Sequence, residues 1–218
     1  KSTSGPVLDI PILPQGIDLT DADVEVRARR FLNSPLDVRD VSFDGRIREG
    51  YMHPSQFAAH VADIDLRGAI LLDLRGAEPN AGLWLFANDA DIGGLLRKLG
   101  LVRDLDARLD LMQLYLRTRS SRLGDLIAQA ELTGNFAGGR VTLRDPNTRA
   151  EARIALESGV LRAAPGEQIG LDLKGSLDDI PVAIGIQSAS AKDLLNPRLA
   201  VPFRVGVEAA QSRIELSG

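Results

Sequence analysis

The sequence predicts a mainly β protein with two short amphipathic helices and a twisted, curved antiparallel sheet. From Ile64 to Arg75, apolar residues alternate with residues that are mostly charged or small. Successive side chains of a strand point to opposite faces, so this pattern defines one apolar and one polar face. Such alternation is typical of antiparallel sheets with one solvated side, because parallel sheets are covered on both faces. Turn signals such as Asp44-Gly45 and Asn196-Pro197 recur at short intervals, which indicates many short strands.

The same alternation predicts strands in several other parts of the chain. An early example is Val24 and Val26, which alternate with Glu25 and Arg27. The further segments are residues 150–157, 169–174, 180–186 and 199–207. Their apolar residues are mainly Leu, Ile, Val and Ala, which fit a half-buried pleated surface.

Two segments have helical spacing instead. In residues 91–101 the apolar positions recur every three or four residues, Asp89 or Asp91 is available as the N-cap, and Gly100 is placed to end the helix. In residues 120–130, Leu123, Leu126 and Ile127 share one face. Both predicted helices are too short to cover a large sheet.

Two details of the strands carry specific predictions. Between the helices, apolar residues occupy odd positions up to Leu111 and even positions from Met112, which predicts a bulge near Met112. Trp84 and Phe86 share the face opposite Leu83, so we expect this strand to be covered on both sides. The two rings are predicted to pack in the core beneath the first helix or, as the second possibility, to line the groove.

Composition excludes several functional classes. The formal charge is -4 and the estimated pI is 5.3, with acidic and basic residues spread evenly, so nucleic acid is not an expected partner. There is no cysteine, and His53 and His60 are the only histidines. We therefore predict a protein that is not an enzyme, with no catalytic residue, metal or cofactor. Residues 1–5 resemble a cloning scar or linker, and residues 6–218 are predicted to form a single domain.

An area comparison suggests that the sheet is incompletely covered. About ten strands at ~4.8 Å spacing, each about seven residues long, give an apolar face on the order of 1,100 Å². Two helices of about eleven residues shade roughly 320 Å². The sheet could close into a sandwich or barrel, the chain could oligomerise, or the face could remain open as a groove for an apolar ligand.

An open apolar groove, or half-barrel, is the predicted architecture. Aromatic residues make up only 4% of the chain, and a wide aliphatic lining suits flexible hydrocarbon better than planar or polar ligands. The predicted lipid-binding residues are the apolar positions of the alternating strands. They are Val24, Val26, Ile64, Leu66, Ile70, Leu72, Ile154, Leu156, Leu171, Leu173, Val182, Ile184, Val201, Phe203 and Val205.

Four stretches carry a resemblance to a known family. They are LPQGIDL (13–19) before the strand at 23–29, PLDVRDV (35–41) with DGRI (44–47), residues 83–88 with DIGGLLRKLGL (91–101), and SRLGDLIA (121–128) with LTG (132–134) and GRV (139–141). In this order and spacing they resemble the C-terminal part of the AsmA-like proteins, an envelope family that includes the TamB and YhdP relatives.

The resemblance implies a function in the cell envelope. AsmA-like proteins form a periplasmic β-groove of repeated strands, anchored to the inner membrane by an N-terminal transmembrane helix, which this sequence lacks. Members are thought to carry phospholipid towards the outer membrane, so the expected partners are phospholipid, the inner membrane, and outer-membrane or envelope proteins. The alternative interpretation is a β-sheet scaffold that assists outer-membrane protein assembly through an exposed sheet edge.

Overall fold

The computed structural model describes residues 21–30, 37–76, 78–100, 102–120, 129–144, 148, 150–190, 193, 202–210 and 212–218. Within these residues the chain forms 12 strands and one helix. The elements are β1 (Ala22–Arg30), β2 (Val38–Arg48), β3 (Tyr51–Val61), β4 (Ile64–Asp73), β5 (Asn80–Asp91), α1 (Ile92–Lys98), β6 (Leu105–Arg119), β7 (Glu131–Arg144), β8 (Glu151–Ala163), β9 (Gln168–Leu177), β10 (Ile180–Ser190), β11 (Phe203–Ala209) and β12 (Ser212–Ser217).

All of these strands belong to one antiparallel sheet in which spatial order equals chain order, from β1 to β12. Each strand pairs with its neighbours in the chain, which is the meander that the closely spaced turn signals predict. Within the described residues β1 pairs only with β2, and β12 only with β11. The prediction of a mainly β, antiparallel protein is confirmed, and the described strands form an open sheet rather than a closed barrel or a two-sheet sandwich.

The first predicted helix is confirmed, but α1 is shorter than residues 91–101. The Asp91 carboxylate caps it by accepting a hydrogen bond of 2.7 Å from the backbone N–H of Gly94. Gly100 follows its end with φ +71°, and the Gly100 N–H donates to the Arg97 carbonyl. Residues 121–128 of the second predicted helix lie outside the described residues, so the described part contains one helix instead of two.

The strand β3 was not predicted, because Pro54 interrupts its pattern. Proline cannot donate to a β-ladder and occurs in sheets at edges and bulges. In the structure Pro54 lies at such an irregularity, where the pairing of β3 with β4 shifts between Met52 and Ser55. The strand therefore continues through a residue that normally argues against one.

The predicted bulge near Met112 is wrong. Both Leu109 and Met112 lie in one core cluster, so the apolar face does change from odd to even positions. The registers of β5 with β6 and of β6 with β7 nevertheless run through this point without an extra residue. Adjacent strands change together, with positive φ angles at Asp89 (52°) and Gly138 (70°). The β8–β9 register shifts between Leu156 and Ser158, so the change of apolar positions ends at β8 and does not continue into β9.

The buried side chains form two clusters on the apolar face. The N-terminal cluster contains Phe43, Ile47 and Met52, with Ala22, Val24, Phe57, Ile70, Leu72 and Leu74 packed against it. The central cluster contains Ile64, Ala87, Ala90, Leu109, Met112 and Leu156, with Leu66, Ile92, Leu95, Leu114, Phe136 and Leu173 packed against it. Among the described residues, no large side chain is less than 2% exposed. This is expected of a sheet that is covered, in its described part, by one short helix.

Trp84 and Phe86 are not in this core, which corrects the prediction of a strand covered on both sides. They are 38% and 44% exposed, whereas Ile92 and Leu95 of α1 pack with the central cluster. The helix and the two rings therefore lie on opposite faces of the sheet.

Candidate apolar binding site

A cavity of about 710 Å³ lies over the central cluster on the apolar face. This volume is within the range of ~300–1,000 Å³ that is usual for small-molecule sites. Its lining residues are Val61, Ile64, Leu66, Leu85, Ile92, Leu95, Leu96, Leu105, Ala107, Leu109, Met112, Leu114, Phe136, Val141, Leu143, Ile154, Leu156, Leu161, Leu171, Leu173, Lys174, Gly175, Val182, Ile184, Ile186, Val205 and Val207. Among these, Lys174 is the single charged residue.

The strand register aligns apolar residues in rows that cross the sheet. The first row is Leu85, Leu114, Gly134, Leu161, Leu171, Ile186, Val205 and Leu216, one residue from each strand from β5 to β12. The second row is Ala87, Met112, Phe136, Gly159, Leu173, Ile184, Val207 and Ile214. Each member faces the next across one strand pair, so both rows are continuous and apolar.

The length of these rows suits an extended hydrocarbon. Seven strand spacings of ~4.8 Å give about 34 Å. Half of a bilayer's hydrocarbon core, the depth that one acyl chain fills, is about 15 Å. A row is therefore longer than one acyl chain laid across the strands.

The helix α1 closes one part of the cavity and packs directly on β6. A Cβ at Gly93 would lie 2.5 Å from the Ala107 backbone nitrogen, so only glycine permits this approach. The side chains of Ile92 and Leu95 pack on the central cluster, and Leu96 lines the cavity. The apolar stripe of the helix is thus used as a partial cover.

Polar contacts fix the C-terminal end of α1 outside the cavity. The Lys98 Nζ contacts the Asp63 carboxylate at 2.7 Å, and Arg97 donates to the Leu105 carbonyl. The hydrogen bond from Lys98 lowers the pKa of Asp63 below its ordinary value, so this carboxylate is ionised at neutral pH. These contacts join α1 to the turn between β3 and β4 and to the start of β6.

Most of the predicted lipid-binding residues lie around this cavity. The structure brings together Ile64, Leu66, Ile154, Leu156, Leu171, Leu173, Val182, Ile184 and Val205. They come from β4, β8, β9, β10 and β11. The distance between these segments in the chain shows that the site depends on tertiary structure.

The other predicted lining residues lie elsewhere. Val24, Ile70 and Leu72 pack with the N-terminal cluster, and Val26 is 39% exposed on the edge strand β1. Phe203 is 48% exposed, at the start of β11. Val201 lies outside the described residues.

Sequence reasoning missed the lining residues from the middle of the sheet and from α1. They are Leu85, Ile92, Leu95, Leu96, Leu105, Ala107, Leu109, Met112, Leu114, Phe136, Val141, Leu143, Leu161, Ile186 and Val207. Their alternation and helical spacing were visible in the sequence. The missing information was which strands lie beneath α1.

A second cavity, of about 910 Å³, lies over β1, β2 and β3 and is lined mostly by polar residues. Its charged side chains largely pair with one another. Arg48 contacts Asp23 at 2.8 Å, and Arg27 contacts Asp44 at 2.6 Å. These ion pairs are exposed, so this cavity is a solvated surface and not a candidate for an apolar ligand.

The two histidines have separate environments. His60 contacts Asp65 at 2.6 Å and Arg39 at 2.7 Å, whereas the His53 ring lies edge-on to Tyr51. Within the described ranges, no three His, Asp or Glu side chains are grouped closely enough to hold a metal ion. In the same ranges, no helix has the length and apolar character needed to span a bilayer.

The chain was compared with known proteins at three levels. No protein family, no curated protein and no solved structure matches it.

Proposed function

We propose that this chain binds the acyl chains of phospholipid on the apolar face of its sheet. In this proposal the sheet is twisted and curved into an open apolar groove, a half-barrel, whose deepest part is the cavity over the central cluster. The chain is the periplasmic segment of an AsmA-like protein anchored to the inner membrane. It supports lipid transport to the outer membrane and the homeostasis of that membrane.

The observation that carries the proposal is the pair of continuous apolar rows. A lipid tail needs an uninterrupted apolar track, since each methylene kept from water contributes ~0.8 kcal/mol. Ten sheltered methylenes would contribute on the order of 8 kcal/mol before the entropy of ordering the chain is subtracted. A single charged residue within a row would remove much of this gain.

The lining also favours binding over chemistry. It offers aliphatic and aromatic carbon, and Lys174 is the one charged group among the described residues around it. General acid–base or nucleophilic catalysis needs titratable groups next to the substrate. We therefore propose a non-enzymatic carrier whose ligand keeps its polar headgroup at the solvated rim.

The cellular setting of the proposal depends on the resemblance to AsmA-like proteins. The open sheet and sequential strand order support it, because a meander of this kind provides one long apolar face. Phospholipid is the ligand class because the envelope supplies two-chain lipids with polar headgroups.

Native mass spectrometry of the purified chain tests the proposal directly. We expect phospholipid to be retained by the wild-type protein and lost in Ile184→Asp, which places a carboxylate in the second row. The matched control is Ala183→Asp, the adjacent position of β10, whose side chain points to the opposite face. Circular dichroism would show that both variants keep their β-sheet.

The outcomes separate the open groove from a sealed core. A folded Ile184→Asp protein without lipid, beside a lipid-bound Ala183→Asp protein, supports the groove. Lipid retained equally by both variants, or no lipid on the wild type after expression in a phospholipid-rich host, contradicts it. Unfolding of Ile184→Asp alone would identify this position as part of a sealed core.

Within the described residues β12 pairs on one side only, with β11, and this edge favours a second candidate, a scaffold for outer-membrane or envelope proteins. On the edge strand β12, Ile214 and Leu216 are each 58% exposed. An edge strand can accept a strand from a partner protein. A photo-crosslinker at Val205 distinguishes the candidates, since lipid adducts favour the carrier and exclusively protein adducts favour the scaffold.

A further inference from the structure

Each of the two apolar rows has one position without a side chain near its middle. In the first row this position is Gly134 of β7, and in the second row it is Gly159 of β8. Both glycines are nevertheless buried. Glycine weakens the interior of a strand, and it often marks a place where another group approaches the backbone closely. A neighbouring side chain must therefore cover each of these positions.

The side chain that covers both positions is Phe136. It lies on β7, two residues after Gly134 and directly opposite Gly159. An added Cβ at Gly134 would lie 3.2 Å from Phe136 Cζ, and an added Cβ at Gly159 would lie 3.0 Å from Phe136 Cδ2. One ring therefore fills the gap in each row.

The neighbouring leucines leave no spare room at either glycine. An added Cβ at Gly159 would also lie 2.6 Å from Leu173 Cδ2, and one at Gly134 would lie 2.9 Å from Leu114 Cδ2. A larger residue at either position would therefore push the Phe136 ring upwards into the cavity. The depth of the cavity at this point depends on the absence of two side chains.

The ring of Phe136 is part of the binding surface. Among the described residues that line the cavity, it is the one aromatic residue, and it packs against the central cluster. With the ring in place, the two rows join across β7 and β8 into one apolar surface, which we name the floor. A straight hydrocarbon can contact the floor along its whole length, whereas a chain with a fixed bend must leave it on one side of the bend. Affinity falls with each methylene that returns to water.

We propose that Phe136, supported by Gly134 and Gly159, is a specificity-determining residue that selects straight, unbranched acyl chains over bent ones. The proposal rests on the acyl-chain binding proposed above and adds which tails the site prefers. The two glycines allow the ring to lie low, and the ring makes the floor continuous. The preferred ligands are lipids whose tails are saturated or trans-unsaturated.

Two isomeric fluorescent fatty acids test this preference. Trans-parinaric acid is straight and cis-parinaric acid is bent, and both have the same number of carbon atoms. We expect the wild type to bind the straight isomer at least about fivefold more tightly, because the bent isomer loses contact with the floor.

Replacement of the ring should remove the preference. Phe136→Ala opens a gap in both rows, so affinity for the straight isomer should fall about tenfold and the two isomers should then bind within about twofold of each other. Phe136→Leu keeps apolar volume but cannot reach both glycines, so it should show an intermediate preference. Circular dichroism would show whether each variant keeps its β-sheet, and Phe136→Leu still tests the role of the ring if Phe136→Ala does not fold.

A substitution beneath the ring provides a second test. Gly159→Val should weaken binding of both isomers at least about tenfold, because the ring is lifted into the cavity. Gly170→Val on β9 is the matched control, since no atom lies within 4 Å of its added Cβ, and it should bind like the wild type. The double variant Gly159→Val with Phe136→Leu should recover affinity to within about threefold of Phe136→Leu, because the shorter side chain leaves room for valine.

The outcomes separate this proposal from acyl-chain binding itself. Equal affinity of the wild type for both isomers would overturn the selection and leave acyl-chain binding intact. Unchanged binding in Gly159→Val, or a double variant that binds no better than Gly159→Val, would show that the glycines do not hold the ring in place, and would also overturn the proposal. A wild-type chain that binds neither isomer would contradict acyl-chain binding and with it the preference.

Discussion

The N-terminal and central clusters lie on the same face of one sheet, yet one is filled and the other is open. In the N-terminal cluster, Phe43 and Met52 fold over Gly45, where an added Cβ would lie 2.6 Å from Phe43 Cζ and 3.0 Å from Met52 Sδ. In the central region, mainly aliphatic side chains from β4 to β11 surround about 710 Å³ of space. Alternation alone does not distinguish a filled cluster from an open cavity. The volume of the side chains and the position of α1 decide between them.

The difference shows how a single-layer sheet can fill one part of its apolar face and leave another part open. Large flexible or aromatic side chains can bury one another's apolar surface by packing together within a few strands. Shorter aliphatic residues on a wide sheet cannot reach across it, and α1 covers only part of them. The following changes test this explanation, from the largest expected effect to the smallest.

Removal of a ring from the filled cluster should have the largest effect. Phe43 is 8% exposed, so Phe43→Ala should lower the free energy of unfolding by about 3 kcal/mol, through lost burial and a new cavity. The control is Leu143→Ala at the cavity lining, which is 47% exposed and should cost less than ~1 kcal/mol. Urea unfolding measures both values. Equal costs at the two positions would contradict the comparison.

Displacement of α1 from the sheet should have the second-largest effect. Gly93→Val places branched carbon against the Ala107 backbone, so we expect the helix to lift and stability to fall by about 2 kcal/mol. Binding of a fluorescent fatty-acid probe should change at the same time, because Ile92 and Leu95 would leave the cavity. Gly100→Ala serves as a comparison, since no atom lies within 4 Å of its added Cβ and any cost there comes from its φ of +71°. Unchanged probe binding in Gly93→Val would show that the helix does not limit the cavity.

Filling the open region should have a smaller effect on stability. Leu173→Phe adds a ring beside Phe136 in the second row, and we expect a stability change within about 1 kcal/mol. Affinity for the fatty-acid probe should fall about fivefold, the equivalent of ~1 kcal/mol. Val160→Phe on the outward face of β8 is the control. Titration of the probe into both variants measures the two affinities. Equal affinity of Leu173→Phe and the control would contradict binding of the probe in the cavity.

The smallest effect should appear on acidification near the N-terminal cluster. Hydrogen bonds from the Arg75 side chain and backbone lower the pKa of Asp73 from 3.8 to about 2. The stabilisation is therefore present above pH 3.8 and is lost as the pH falls towards about 2. Thermal melts of wild type and Asp73→Asn should differ above pH 3.8 and converge near pH 2. Asp106→Asn, an exposed carboxylate on β6, is the comparison.

Much of the secondary structure could be predicted from the sequence. The alternation in β4, β8 and β9 and the helical spacing of α1 depend on neighbouring residues, so they are visible in a short window. The strand β3 could not be recognised, because the pattern breaks at Pro54 and the bulge is stabilised by pairing with β4. The change at Met112 was seen but misinterpreted, since a coordinated change across several strands looks the same as a bulge in one strand.

The candidate site was only partly predictable for the same reason. Ile184 and Leu173 were identified by their alternation, whereas Leu85 and Leu114 of the first row were not. Trp84 and Phe86 were assigned to the core, because apolar residues occupy both faces of this strand. They are exposed because α1 packs on the other face of the sheet. The local sequence pattern does not show which face a helix will cover.

The sequence by itself determined that strands would alternate, that they would pair in chain order, and which side of most strands would be apolar. Those features follow from the two-residue period of a strand and from short turns. Only the tertiary structure decided which residues form continuous rows, which cluster closes on itself, and which face presents Trp84. These depend on inter-strand register and on the position of α1, where contacts join residues far apart in the chain.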